Sequence, residues 1–130
     1  MGPAESQQPD DWHRRGEADL SAAEILLENE GDPQVAAALV QQGVEKHLKG
    51  WLLARGWRLI RTHDLQRLLD DASTYEHGLV GYYPLCERLT GFYYLERYPF
   101  SVDTPTEDVV LKVLADAREF VEDLLSRSHE

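Results

Sequence analysis

Residues 54–65, Ala-Arg-Gly-Trp-Arg-Leu-Ile-Arg-Thr-His-Asp-Leu, gather Arg55, Arg58, Arg61 and His63 in a chain that is otherwise acidic. Guanidinium groups present forked N–H donors that match phosphate and carboxylate oxygens, and an imidazole exchanges its proton near neutral pH. The stretch is therefore either a seat for an anionic ligand beside a proton-transfer group, or a helix end and turn that need polar residues. Lys46, Lys49, Arg55, Arg58, Arg61 and Arg67 stand against the single acid Asp64 between residues 46 and 67, so this segment carries +5 and the remainder −16 of the net −11. A uniformly acidic surface repels nucleic acid and membrane phosphates. This segment is the part of the chain whose charge suits an anion.

Other chemistry has little material. His13, His47, His63, His77 and His129 include no pair three or four residues apart, so no metal site is expected. Gly50, Gly56, Gly78, Gly81 and Gly91 form no phosphate-cradling loop. Cys86 is the one cysteine, which excludes an intrachain disulfide and a thiolate cage and leaves a nucleophilic role without a histidine at a telling spacing. With 24 acids among 130 residues, neighbouring carboxylates are expected by chance, and no cofactor is expected. The longest purely apolar run is 35–40 and no signal-peptide pattern opens the chain, so neither secretion nor a membrane is expected and the compartment is read as cytoplasmic.

The scaffold for these residues reads as helical. A length of 130 residues with 42% hydrophobic content suits one domain. Residues 1–11 are expected to be a loose tail and residues 12–128 the domain. No stretch alternates at period two, so the fold class is all-α, an antiparallel bundle of about five helices. Helix one is expected from Trp12 to Asn29, capped by Asp10 or Asp11 and ended by Gly31. Helix two starts with Asp32 as cap and Pro33 in its first turn, and stops before Gly56; Val40, Val44, Leu48, Trp51 and Leu52 make its core face, and Gln41, Glu45 and Lys49 a polar stripe beside it. Thr62 is expected to cap a short helix from His63 to about Ala72, followed by a connection at 73–78. A fourth helix is expected from Pro84 to about Glu96, stopped by Pro99. Thr104-Pro105-Thr106-Glu107 reads as a capping box before a fifth, whose apolar face runs from Val109 to Leu125.

Several of these pieces, taken in order, resemble the HEPN domain family, small helical bundles of bacteria, archaea and some eukaryotic proteins. They are Trp12 followed by Glu17-Ala18-Asp19-Leu20, the run from Gln41 to Gly56, Thr62-His63-Asp64-Leu65, and Arg97-Tyr98-Pro99. The likeness spans roughly residues 12–125. It implies a bundle of about five helices that commonly dimerises, and one of two activities: a metal-independent endoribonuclease of toxin type, or a partner subunit of a minimal nucleotidyltransferase in a toxin–antitoxin type pair. Ribonuclease members carry an arginine, four to six residues, then a histidine. Arg58 and His63, with four residues between them, fit that pattern. Leu59 stands where such members usually have a polar residue.

The chemistry accounts for those residue types. Attack of an RNA 2′-hydroxyl on its phosphate needs a proton moved, as histidine can do, and a phosphorane stabilised, as a guanidinium can do. On this reading RNA or a nucleotide binds a basic notch, with Arg58 and His63 as catalytic residues and Arg61, Lys46, Lys49, Arg97 and Tyr98 as binding residues. Plainer roles stay open: His63 as a turn residue, Arg58 and Arg61 as solvated loop charges, Lys46 and Lys49 as a solvated helix face, and Arg97 as a cation at a helix C-terminus. Trp57, Phe92, Tyr93, Tyr94 and Phe100 could form an apolar patch that a homodimer covers. The alternatives are a non-catalytic nucleotidyltransferase partner, which the net charge suits, and a purely structural helical dimer.

Overall fold

The computed structural model describes residues 4–97 and 104–127, the side chains of Glu96 and Arg97 excepted. The described elements are all helical: α1 (Pro9–Glu28), α2 (Pro33–Leu53), α3 (Leu65–Tyr75), a 3₁₀ helix (His77–Tyr82), α4 (Tyr83–Arg97) and α5 (Glu107–Ser126). The all-α bundle expected from the sequence is the observed fold. Among the described residues no helix is long and apolar enough to cross a membrane.

α2 is the central helix and packs against α1, α3, α4 and α5. Its expected core face is fully enclosed, with Val40, Val44, Leu48 and Leu52 at 0% exposure. Leu65, Leu68 and Leu69 of α3 and Val113, Ala117, Phe120 and Leu124 of α5 close the same core. Leu125 of the expected α5 face is exposed instead. The polar stripe of α2 departs most from expectation, because Gln41, Glu45 and Lys49 are all buried. A helix packed against four others has little solvent face to give them.

Several boundaries move for local reasons. α1 begins at Pro9, inside the stretch expected to be tail, and Gln8 caps it without a side-chain hydrogen bond; Asp10 and Asp11 instead lie in the first turn, where they complement the helix dipole. The left-handed residue that ends α1 is Glu30 (φ 58°), one position before the expected Gly31. The Gly31 amide then returns to the Leu26 carbonyl at 2.6 Å, the closure of a Schellman turn. α2 follows expectation, with Asp32 accepting from the Gln34 amide and Gly56 left-handed at φ 85°. Asp64, not Thr62, caps α3, so His63 precedes the helix instead of opening it. The connection expected at 73–78 is largely helical, since α3 continues to Tyr75 and the 3₁₀ turn drives Leu79 into the core. Thr106, not Thr104, caps α5 and accepts from the Val109 amide, which leaves Pro105 ahead of the helix and no capping box. The Pro99 stop lies outside the described residues.

α1 and α2 approach closely at two glycines. A Cβ on Gly16 would stand 2.9 Å from the Gly43 carbonyl oxygen, and one on Gly43 would stand 3.0 Å from that of Gly16. One side of this crossing holds two histidines that are distant in sequence. His13 Nδ1 and His47 Nδ1 are 2.9 Å apart, so one ring supplies the N–H and the other the lone pair. Burial, and then the neighbouring His13, push His47 down to about 4, and burial lowers His13 as well.

Two predictions follow the local physics. A left-handed non-glycine residue costs about 1 kcal/mol, so Glu30→Gly is expected to raise the unfolding free energy by about that amount in urea titrations. His47 has a folded pKa below its unfolded value, so the unfolded chain takes the proton first as pH falls. Its contribution is therefore complete above about pH 6.5 and declines toward pH 4, with about 2–3 kcal/mol lost by pH 4.5. Urea midpoints of the parent should fall more steeply from pH 7 to 4.5 than those of His47→Gln. Parallel slopes would show that the pair does not couple to folding.

Candidate functional site

After α2 the chain turns back along it, and the return loop delivers His63 onto the buried stripe. Three contacts fix the residue. Gln41 Nε2 donates to the His63 carbonyl at 3.1 Å, Glu45 Oε1 lies 2.9 Å from His63 Nδ1, and the Tyr93 ring stacks on the imidazole at 4.4 Å between centroids and 20° between planes. Two residues on, the Leu65 amide donates to Thr90 Oγ1 at 3.0 Å, tying the start of α3 to α4. The Glu45 carboxylate accepts from three donors, since Gln41 Nε2 reaches Oε1 at 3.1 Å and Lys49 Nζ reaches Oε2 at 3.0 Å. A carboxylate facing Nδ1 selects the tautomer with the proton on Nδ1 and leaves the Nε2 lone pair for other partners. His63 is half-exposed, so its free edge can exchange protons with a bound molecule.

The residue lines an open cleft of about 410 Å³, walled also by Glu5, Trp12, Glu45, Lys46, Lys49, Arg61 and Thr62. Each cation there has an acid beside it. Lys46 pairs with Asp19 at 2.6 Å, Lys49 with Glu45 at 3.0 Å and Arg61 with Glu5 at 3.6 Å. Asp19, Glu45 and Glu5 thereby offset three of the five net positive charges of the segment. Arg61 keeps the loosest pairing and is 83% exposed, so its guanidinium is the group most easily transferred to an incoming anion. Among the described residues no group of three or more His, Cys, Asp or Glu side chains is placed to hold a metal ion.

A family model described as the HEPN domain matches residues 9–127. The chain belongs to the HEPN domain family. The crystal structure of ST0689, an archaeal HEPN homologue, superimposes with a TM-score of 0.74 at 22% identity, covering 94% of this chain and 98% of that one, a likeness of fold. No curated protein matches the sequence.

Within this HEPN bundle the opening stretch divides into separate roles. Arg55 lies over the Trp51 ring, 3.4 Å from its centroid, and donates to the carbonyls of Trp51 and Arg127, joining the ends of α2 and α5. Trp57 is half-buried, packs on the core and donates Nε1 to Asp71 at 2.9 Å. Arg58 is exposed and is not among the residues that line the cleft. Arg61 and His63 do line it, together with Lys46 and Lys49. The cleft thus brings together four of the expected residues, and Arg58 is not one of them. Arg97 ends α4 with its side chain outside the described residues, as is the whole of Tyr98. Lys46 and Lys49 are ion-paired and not a solvated face, because Asp19 of α1 and Glu45 cover them.

Glu45, Gln41, Trp12 and Tyr93 are the site residues that the sequence did not single out. The available signal was the stripe at 41, 45 and 49, polar groups spaced to meet one neighbour on a helix otherwise rich in core residues. The proposed apolar dimer patch is also revised. Phe92 is a core residue at 8% exposure, Trp57 faces the core, Tyr93 covers His63, and Phe100 lies outside the described residues, which leaves Tyr94 as its exposed member.

In the parent, imidazole ¹⁵N shifts should report His63 with its neutral-form proton on Nδ1. Glu45→Gln should release that preference and give a mixture of tautomers, since an amide can either donate to or accept from Nδ1. The same change leaves the buried Lys49 ammonium without its carboxylate and should cost about 3 kcal/mol of stability. A parent histidine protonated on Nε2 would contradict the geometry.

Proposed function

We propose that the cleft binds RNA or a nucleotide through its phosphate, and that His63 moves the proton in metal-independent cleavage of RNA. The observation that carries this reading is the 2.9 Å contact between Glu45 and His63 Nδ1 at the wall of a cleft that also holds Arg61. It fixes an imidazole, the group suited to shuttle a proton near neutral pH, beside a guanidinium that can take up charge at phosphate oxygens. Glu45 acts as a positioning residue. HEPN membership and the spacing of Arg58 and His63 support the same chemistry. Arg58 does not line the cleft of one chain, and its proposed role in stabilising the phosphorane is one that a second copy would supply in a homodimer.

A second reading is favoured by a different surface. Between α1 and α5, Glu24, Glu28 and Glu107 rim a groove floored by Leu27, Leu111 and Leu114, and further along Glu17, Glu119 and Glu122 flank Val121 and Leu125 beside Arg118, which pairs with Glu17 and Glu24 and leaves the acids in excess. Apolar residues with an acidic rim complement a basic protein surface, as the nucleotidyltransferase-partner reading requires.

The deciding experiment incubates mixed-sequence RNA with the purified protein in excess chelator. The parent is expected to leave 2′,3′-cyclic phosphate ends, and His63→Ala to lower the rate by about 10²–10⁴-fold. Arg61→Ala is expected to weaken binding. Because one or two phosphates are engaged, log K against log salt should fall with a slope of only about −1. Binding without cleavage would reduce the proposal to a binding site. Absence of both would move the function to the acidic groove.

A further inference from the structure

Beside the His63 cleft lies a smaller pocket lined by Glu5, Ser6, Asp11, Trp12, Arg15 and Lys46. Glu5, Trp12 and Lys46 line both depressions, Lys49 and His63 only the cleft, and Asp11 and Arg15 only the pocket. Trp12 is therefore a shared wall. The indole is fixed rather than loosely exposed: Nε1 donates to the Ser6 carbonyl at 2.8 Å, Ser6 Oγ donates to Asp11 at 2.6 Å, and Lys49 Nζ lies 5.5 Å from the ring centroid. Packing and hydrogen bonding have already ordered the ring, so a ligand stacking on it loses little additional freedom.

The size and charge of the pocket narrow its occupant. Its volume of about 190 Å³ is below the roughly 300–1,000 Å³ of sites for drug-sized ligands, which suits one planar ring system. Trp12 is its one aromatic side chain, and Glu5, Asp11, Arg15 and Lys46 are its charged ones. Arg15 is exposed at its edge and has no ion-pair partner among the described residues, unlike Lys46, Lys49 and Arg61. A slot with a fixed aromatic, sharing a wall with the cleft and lined also by a guanidinium that has no ion-pair partner among the described residues, matches the order phosphate, base, phosphate along a single strand.

We propose that this pocket takes one nucleobase of a single-stranded RNA or nucleotide, stacked on Trp12, with Arg15 pairing to the phosphate beyond it. The inference rests on the reading of the His63 cleft as a nucleotide site. It adds a base subsite and a direction for the strand, from His63 past Trp12 toward Arg15.

Calorimetric titration of the full chain with adenosine 3′,5′-bisphosphate, and with ribose 5-phosphate as a base-free control, tests it. The bisphosphate is expected to bind at least tenfold more tightly than the control. Trp12→Ala should lose roughly ten- to a hundred-fold of the bisphosphate affinity, Trp12→Phe should retain most of it, and ribose 5-phosphate should bind all three alike. Arg15→Ala should weaken the bisphosphate alone. If Trp12→Ala, shown to be folded by its thermal midpoint, binds the bisphosphate as the parent does, the base subsite is wrong and the phosphate cleft stands. Equal losses for both probes with no rescue by phenylalanine give Trp12 a purely structural role and also overturn the subsite. If neither probe binds the parent, the cleft reading fails and the base subsite falls with it.

Discussion

A carboxylate enclosed in a helical bundle must find its partners within the protein, and Glu45 imposes that condition on the elements around it. At 4% exposure it has lost most of its hydration, which costs several kcal/mol unless donors replace the water. The donors come from α2 itself, through Gln41 and Lys49, and from the return loop, through His63. Lys49 is buried in turn, and Trp12 of α1 lies over it. One buried charge thereby sets the position of the return loop and ties it to the beginning of α1. The same contact that satisfies the carboxylate orients the imidazole, so stability and the chemistry of the site share an interaction.

That arrangement depends on how closely α1 and α2 meet. Gly16 and Gly43 let each backbone approach the other's carbonyl oxygen, and a Cβ at either position would require the helices to separate. Separation would act on both flanks of the crossing. Toward its N-terminus α1 carries His13, bonded to His47, and Trp12, placed over Lys49. Further along, Asp19 reaches Lys46 at 2.6 Å. These contacts assemble one wall of the cleft, so packing at two glycines controls a site to which neither contributes a side chain.

The sequence made the helices, most of their apolar faces and the family legible, because periodicity, caps and short motifs are local signals. It also brought His63 and Arg61 forward as candidates. It did not reveal which arginine would stand in the cleft, because Arg55, Arg58 and Arg61 are chemically alike and their directions depend on a loop. Arg55 is taken up by Trp51 and the end of α5, and the partner carbonyl on Arg127 is 72 residues away. The burial of Glu45 was hidden for a similar reason. A polar stripe at helical spacing has the same sequence pattern whether it faces water or another helix, and only the packing of α1 and the return loop distinguishes the two cases. His13 and His47 met across helices although no local spacing joined them.

The acidity of the chain and the paired cations of the cleft express one constraint. An unpaired Lys49, at 5% side-chain exposure, would be costly in the absence of ligand, so the fold supplies it with a carboxylate. Anion binding at such a site is an exchange of partners and adds little net attraction. The exchange is easiest where the existing pair is longest and most exposed, which is Arg61 with Glu5 at 3.6 Å, and hardest at Lys49, whose carboxylate also holds His63. On the proposed reading a phosphate would displace Glu5 by offering the guanidinium a bidentate partner while leaving Glu45 in place. On that reading the cleft would change its anion without releasing the imidazole, because the exposed pair and the orienting pair are built on different residues.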